Sequence, residues 1–126
     1  MTIQTKGLSN PTKIEYAGKH LLLEFWGANN IDSIKFIENA LIKAVKACHA
    51  TLLKVDLHKF EPQGVSGVVV IAESHISIHT WPERSYAALD IFVCNGKDPY
   101  LALASLKRSF QPEKVVVTEV KRGISS

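Results

Sequence analysis

The period of the apolar positions changes several times along the chain, and each change marks a predicted element. Residues 20–26 form a largely apolar run that is typical of a strand. Apolar residues from 34 to 47 recur at steps of three and four, which predicts a helix that Asn29, Asn30 or Asp32 can cap.

The rest of the chain predicts mainly strands. Residues 51–60 alternate, with Leu53, Val55 and Leu57 on one face of a half-buried strand. The remaining predicted elements are strands over 65–71, 76–81, 86–94 and 114–121, and a helix over 99–110. Because most strands follow one another without a crossover helix, we expect an α+β fold, a two-layer sandwich with two helices packed on one face of an antiparallel β-sheet.

Length and composition favour one globular domain. The chain has 126 residues, of which 46% are hydrophobic and 21% charged, as in a soluble globular protein. This length is enough for one hydrophobic core but not for two. We therefore expect a single domain over residues 1–126, in which residues 1–13 form a loose amino-terminal arm.

The distribution of charged and apolar residues argues against several partners. The net charge is +3, but the basic residues are scattered, so we expect no nucleic-acid partner. The longest apolar run, near residues 68–72, is too short to span a bilayer, and we expect no membrane association. Cys48 and Cys94 are too few for a disulfide scaffold, which favours free thiols and a cytoplasmic location, with Cys48 packed in the core.

The chemistry-bearing residues concentrate in one segment, residues 60–83, which reads FEPQGVSGVVVIAESHISIHTWPE. This segment resembles the processing region of the prokaryotic S-adenosylmethionine decarboxylases, small pyruvoyl-dependent enzymes of polyamine synthesis. GKHLLLEFWG before it and YAALDIFVC after it occur in the order and at about the spacing of that family, so the resemblance covers roughly residues 16–110.

The resemblance implies a proenzyme that cuts itself between Glu73 and Ser74 into a β chain, 1–73, and an α chain, 74–126. The Ser74 hydroxyl would attack the Glu73 carbonyl, and elimination and hydrolysis would turn Ser74 into a pyruvoyl group. Decarboxylation needs an electron sink, and a carbonyl that forms a Schiff base with the amino group of S-adenosylmethionine provides one that no encoded side chain supplies. The product would donate aminopropyl groups for spermidine synthesis.

The resemblance also implies a role for each matching residue in processing and proton transfer. His79 would remove the α-proton of the esterified Ser74, and Ser66 would support processing by hydrogen bonding. Cys94 would return a proton to the substrate carbon, because an ordinary thiol is mostly protonated at neutral pH. Without the resemblance, residues 73–75 would be interpreted as a polar turn and Cys94 as a small buried hydrophobe.

For substrate binding, the resemblance implies that Glu83 accepts hydrogen bonds from the ribose hydroxyls and that Phe60 stacks on adenine, with Trp81 lining the same pocket. The nearest alternative is a pyruvoyl-dependent decarboxylase of arginine or ornithine, which would not need Phe60 and Glu83. The other alternative is a non-catalytic relative that acts as a binding subunit, which would have no use for the set Glu73, Ser74, His79 and Cys94. Three positions depart from the family pattern around the proton donor: Ser85, Val93 and Asn95.

Histidine spacing raises two geometric questions. His75 and His79 lie roughly 13 Å apart on a strand, too far for two ligands of one zinc ion, so we expect no metal. Ser74 and His79 would be ~16 Å apart and on opposite faces. Either the chain reverses sharply at residues 73–75, or His79 serves the serine of a second protomer, and we predict a homodimer of processed αβ protomers.

Overall fold

The computed structural model describes residues 15–125, so the arm predicted over residues 1–13 lies outside the described part. The elements in chain order are β1 (Gly18–Trp26), α1 (Ile34–Ala47), β2 (Thr51–Lys59), β3 (Val65–Ala72), β4 (Ser74–Trp81), a 3₁₀ turn (Pro82–Arg84), β5 (Tyr86–Cys94), α2 (Pro99–Phe110) and β6 (Lys114–Arg122). Each predicted strand and helix is present, with ends that differ by up to two residues.

The six strands form one antiparallel sheet in the order β2-β3-β4-β5-β1-β6. Both helices pack on one face of it, which confirms the predicted α+β sandwich. The core between the layers takes alternate strand residues, such as Leu21, Leu23 and Phe25 of β1, and the inner faces of the helices. Cys48 is 1% exposed in this core, as predicted.

The helix α1 begins differently from the prediction. Ser33 caps it: its backbone is extended (φ −102°, ψ 109°), and its Oγ accepts a hydrogen bond from the Phe36 amide at 3.2 Å. The proposed caps Asn29, Asn30 and Asp32 are wrong. The carboxylate of Asp32 binds elsewhere, since its Oδ1 accepts the Gly64 amide at 2.7 Å.

The edge strand β2 also corrects one expectation. Its pairing with β3 shifts register between Leu52 and Lys54, so Leu53 is an extra residue that leaves the ladder. Leu53 is 61% exposed, whereas Val55 and Leu57 pack against the core as predicted.

On the second face of the sheet, which we call the open face, no helix packs within residues 15–125. It combines polar residues of the central strands with exposed apolar side chains on three strands: Leu22, Trp26, Trp81, Val116 and Val120. Within residues 15–125, no helix is long and apolar enough to cross a bilayer.

Candidate active site

The bond predicted to be cut lies at the tip of the β3–β4 hairpin. β3 ends at Ala72 and β4 begins at Ser74, so Glu73 alone separates the two strands. The expectation that residues 73–75 separate the strands is therefore too wide, because Ser74 already pairs with Ile71 and with Val93.

Ser74 has an unusual backbone conformation. Its φ is 127°, in the region that favours glycine, and a serine held there carries strain on the order of 1–3 kcal/mol. Glu73 is exposed and Ser74 is half-buried. Cys94 follows Val93, the pairing partner of Ser74, so the predicted proton donor lies at the same end of the sheet as the predicted cleavage point.

The opposite end of the sheet holds a cavity of about 270 Å³. Five predicted site residues line it: Phe60, Ser66, His79, Trp81 and Glu83. Ser66 and His79 pair directly between β3 and β4, and His79 Nδ1 lies 3.0 Å from Ser66 Oγ. The structure thus brings together the predicted processing pair and the predicted substrate-binding residues.

Local hydrogen bonds hold the walls of this cavity. The Thr80 hydroxyl is buried and accepts the Val65 amide at 2.8 Å, which joins β3 to β4 where both strands line the cavity. Asp32 accepts the Gly64 amide at 2.7 Å and forms an ion pair with Lys59 at 3.1 Å. The Gly64 amide and then Lys59 lower the pKa of the Asp32 carboxyl, so the cavity rim is held by an ionised carboxylate.

The two groups of predicted residues lie at opposite ends of β4. Ser74 begins the strand and His79 is five residues further along it, which places them roughly 16 Å apart within one chain. The chain does reverse sharply, but it does so at Glu73, before Ser74, and the reversal does not bring His79 closer. The sharp reversal that the sequence predicted is therefore present, but within one chain it does not bring Ser74 and His79 together.

Between these ends, the open face carries a polar cluster that the sequence pattern did not predict. Asp90 Oδ2 lies 2.6 Å from His20 Nε2 and 2.8 Å from His75 Nε2, and Asp90 Oδ1 accepts a hydrogen bond from the Ser77 hydroxyl. In the sequence, the cluster is indicated only by Asp90, a charged residue inside the otherwise apolar strand YAALDIFVC.

An aromatic stack lies on the same face. Tyr86 stacks on Trp26 at a centroid distance of 4.3 Å and on Trp81 at 5.4 Å, and its hydroxyl donates a hydrogen bond to Glu24. Burial, and then this hydrogen bond to a carboxylate, raise the pKa of Tyr86 to about 12. Tyr86 therefore stays a neutral donor at physiological pH. His20, Glu24, Tyr86 and Asp90 line an open-face cavity of about 460 Å³.

Comparison with known proteins decides the family. Residues 19–123 match the family model described as S-adenosylmethionine decarboxylase. The chain belongs to the S-adenosylmethionine decarboxylase family.

The chain aligns with relatives in this decarboxylase family over almost the whole length of each relative. An S-adenosylmethionine decarboxylase proenzyme of Methanococcus maripaludis strain C5 is 52% identical over 110 residues, 85% of this chain and 90% of the relative. One of Thermomicrobium roseum is 44% identical over 109 residues, covering 85% and 94% of the two chains. The crystal structure of the adenosylmethionine decarboxylase from Aquifex aeolicus VF5 superimposes with a TM-score of 0.82 at 33% identity, covering 89% of this chain and 95% of that one.

Proposed function

We propose that this chain is an S-adenosylmethionine decarboxylase proenzyme that cuts itself between Glu73 and Ser74 and uses the group formed from Ser74 to remove CO₂ from S-adenosylmethionine. The observation that carries the proposal is the cavity that joins Phe60, Trp81 and Glu83 to the Ser66–His79 pair. Family membership supplies the reaction class, and the cavity supplies a place for an adenosine group.

The surroundings of Ser74 fit the formation of a pyruvoyl group. The Ser74 hydroxyl forms an ester with the Glu73 carbonyl as the peptide C–N bond breaks and the nitrogen gains a proton. Removal of the α-proton expels the Glu73 carboxylate, and hydrolysis of the resulting enamine releases ammonia. Residue 74 then has no amide nitrogen and no φ, so the strain of its present backbone disappears. β3 and β4 stay paired beyond the break, which holds the two chains together.

When present, the pyruvoyl carbonyl would condense with the substrate amino group and accept the electron pair that CO₂ leaves behind. Cys94 is the proposed proton donor because it is a free, half-buried thiol at the Ser74 end of the sheet. Val93, one of the departures from the family pattern, pairs with Ser74 and points into the core, so it does not displace the thiol.

The separation of Ser74 from His79 supports a homodimer. We propose that two copies pack their open faces together, so that Ser74 of one protomer meets the His79 end of its partner. A two-fold axis near the middle of β4 would produce two equivalent sites. Exposed apolar residues such as Leu22 and Val116 would be covered in this arrangement.

The substrate distinguishes this proposal from its alternative, an arginine or ornithine decarboxylase. Phe60 is 46% exposed at the cavity, available to stack on adenine, and Glu83 provides a carboxylate that could bind ribose hydroxyls. The test is release of ¹⁴CO₂ from carboxyl-labelled S-adenosylmethionine, arginine and ornithine. We expect release from the first substrate, and release from arginine or ornithine instead would refute the proposal.

A further inference from the structure

Asp90 is an ionised residue held rigidly inside a central strand. Its side chain is 19% exposed, and that of His20 is 15% exposed. Burial raises the pKa of Asp90, but hydrogen bonds from Ser77, His20 and His75 together outweigh burial, and the pKa is lowered. The three donors come from β1 and β4, so the carboxylate joins the two strands that flank β5.

The second partner of His20, Arg122, decides which ring nitrogen of His20 carries the hydrogen. Arg122 Nη1 lies 2.9 Å from His20 Nδ1, and a guanidinium only donates hydrogen bonds. Nδ1 is therefore the acceptor, and Nε2 carries the hydrogen that His20 gives to Asp90. The His20 ring also stacks on the Phe92 ring, with centroids 5.0 Å apart. The Arg122 guanidinium lies 5.4 Å from the centroid of the Phe92 ring. His20 is thus fixed by β5 and β6 as well as by Asp90.

The distances in this cluster are those of hydrogen bonds. The ligand atoms of His20, His75 and Asp90 all lie within 4.8 Å of one another, as metal ligands would. However, the two N–O distances of 2.6 and 2.8 Å are shorter than the separation of about 3.3 Å between two ligands of a tetrahedral zinc ion with bonds of about 2.0–2.1 Å. We therefore interpret the cluster as a hydrogen-bond network.

His75 connects this network to the proposed reaction. Its backbone nitrogen is bonded to the carbonyl carbon of residue 74, so it holds residue 74 once the Glu73–Ser74 bond is cut. A strand end that has become a chain terminus frays at little cost, and backbone pairing with Phe92 and Val70 does not by itself fix its orientation.

We propose that Asp90, supported by His20 and Ser77, is a positioning residue that anchors the His75 side chain and thereby fixes the group formed from Ser74. The inference rests on the proposed self-cleavage. It assigns to the cluster a role after cleavage, when the reacting group is held from one side alone.

The test is the variant Asp90→Asn, which keeps the size of the side chain and removes its charge. We expect complete cutting at Ser74 on a denaturing gel and a normal yield of carbonyl in titration with phenylhydrazine. The value of kcat should fall about 100-fold with a smaller change in KM, because a displacement of about 1 Å has such an effect. Hydrogen exchange of the peptide that follows residue 74 should become faster than in wild type.

A matched control and a second pair of variants decide the remaining outcomes. Glu119→Gln changes a carboxylate that accepts a hydrogen bond from Tyr100 at 2.6 Å on the helix-covered side of the sheet, and it should leave kcat and exchange unchanged. His20→Gln, which keeps an N–H donor, should retain more activity than His20→Leu. If circular dichroism shows that Asp90→Asn does not fold, the two His20 variants provide the test instead.

Three results would overturn the inference: wild-type kcat and exchange in Asp90→Asn, an Asp90→Asn chain that folds but stays uncut, or equal activity in wild type and His20→Leu. Failure of the wild-type chain to cut itself or to react with phenylhydrazine would instead refute the proposed function. The two failures are therefore distinguishable.

Discussion

His79 and Ser66 face each other across β4 and β3, with His79 Nδ1 3.0 Å from Ser66 Oγ. The hydrogen bond fixes the ring through Nδ1, and Nε2 takes no part in this contact. A base that is held in this way can remove the α-proton of an ester without first reorienting.

His79→Ala should therefore slow self-cleavage by roughly 10²–10⁴-fold, the usual contribution of a positioned general base. Cutting is followed on denaturing gels after synthesis of the chain in a cell-free system. Ser66→Ala should slow cutting less, because it removes the partner and leaves the base. His49→Asn, at an exposed turn after α1, is the control and should cut at the wild-type rate. Wild-type cutting by His79→Ala would contradict the assigned role.

The two cysteines offer a matched pair. Cys94→Ala should still be cut at Ser74, but its decarboxylation rate should fall by about 10²–10⁴-fold, because the proposed proton donor is missing. Cys48→Ala should keep the wild-type rate and lose about 1 kcal/mol of stability, since Cys48 packs in the core. Both variants are measured by CO₂ release and by urea unfolding. Equal rates for the two would rule out Cys94 as the donor.

Much of the fold follows from local pattern. The alternation in β1 places Leu21, Leu23 and Phe25 in the core, and the three- and four-residue steps in α1 place Ile37 and Leu41 there. A local pattern does not give pairing between distant strands. Leu53 alternates correctly in sequence, but the register shift in β2 removes it from the core face.

The candidate site shows the same limit. The residues of the segment 60–83 follow from the family resemblance, and Phe60, Ser66 and His79 do share a cavity. The contact between Asp90 and His20 spans 70 positions and depends on β1 lying beside β5, which the order of elements along the chain does not reveal.

Asp32 predicts a pH dependence of stability. Its pKa is lowered in the folded chain by the Gly64 amide and then by Lys59, so its contribution is present above the unfolded pKa of about 3.9 and is lost as the pH falls through the folded pKa. Asp32→Asn should melt at a lower temperature than wild type at pH 7. The difference should shrink as the pH falls below about 4, when the wild-type carboxyl is also neutral.

The melting experiment needs a carboxylate control. Glu38→Gln changes an exposed residue of α1 and should not reproduce the pH-dependent gap. A gap between Asp32→Asn and wild type that stays constant from pH 7 to pH 2 would show that the ionised form of Asp32 does not stabilise the folded chain.

The open face predicts which substitutions would break the proposed homodimer. Leu22 on this face is 41% exposed, and Leu101 on α2 is 42% exposed. The two leucines are therefore almost equally exposed but lie on different surfaces. If two open faces pack together, Leu22→Arg buries a charge in the interface and should give monomers in sedimentation velocity, whereas Leu101→Arg should stay dimeric. Because Ser74 and His79 of one chain lie roughly 16 Å apart, the Leu22→Arg monomer should also cut itself slowly. A wild-type chain that is monomeric and active, or a Leu22→Arg monomer that cuts at the wild-type rate, would show that one protomer completes the site alone.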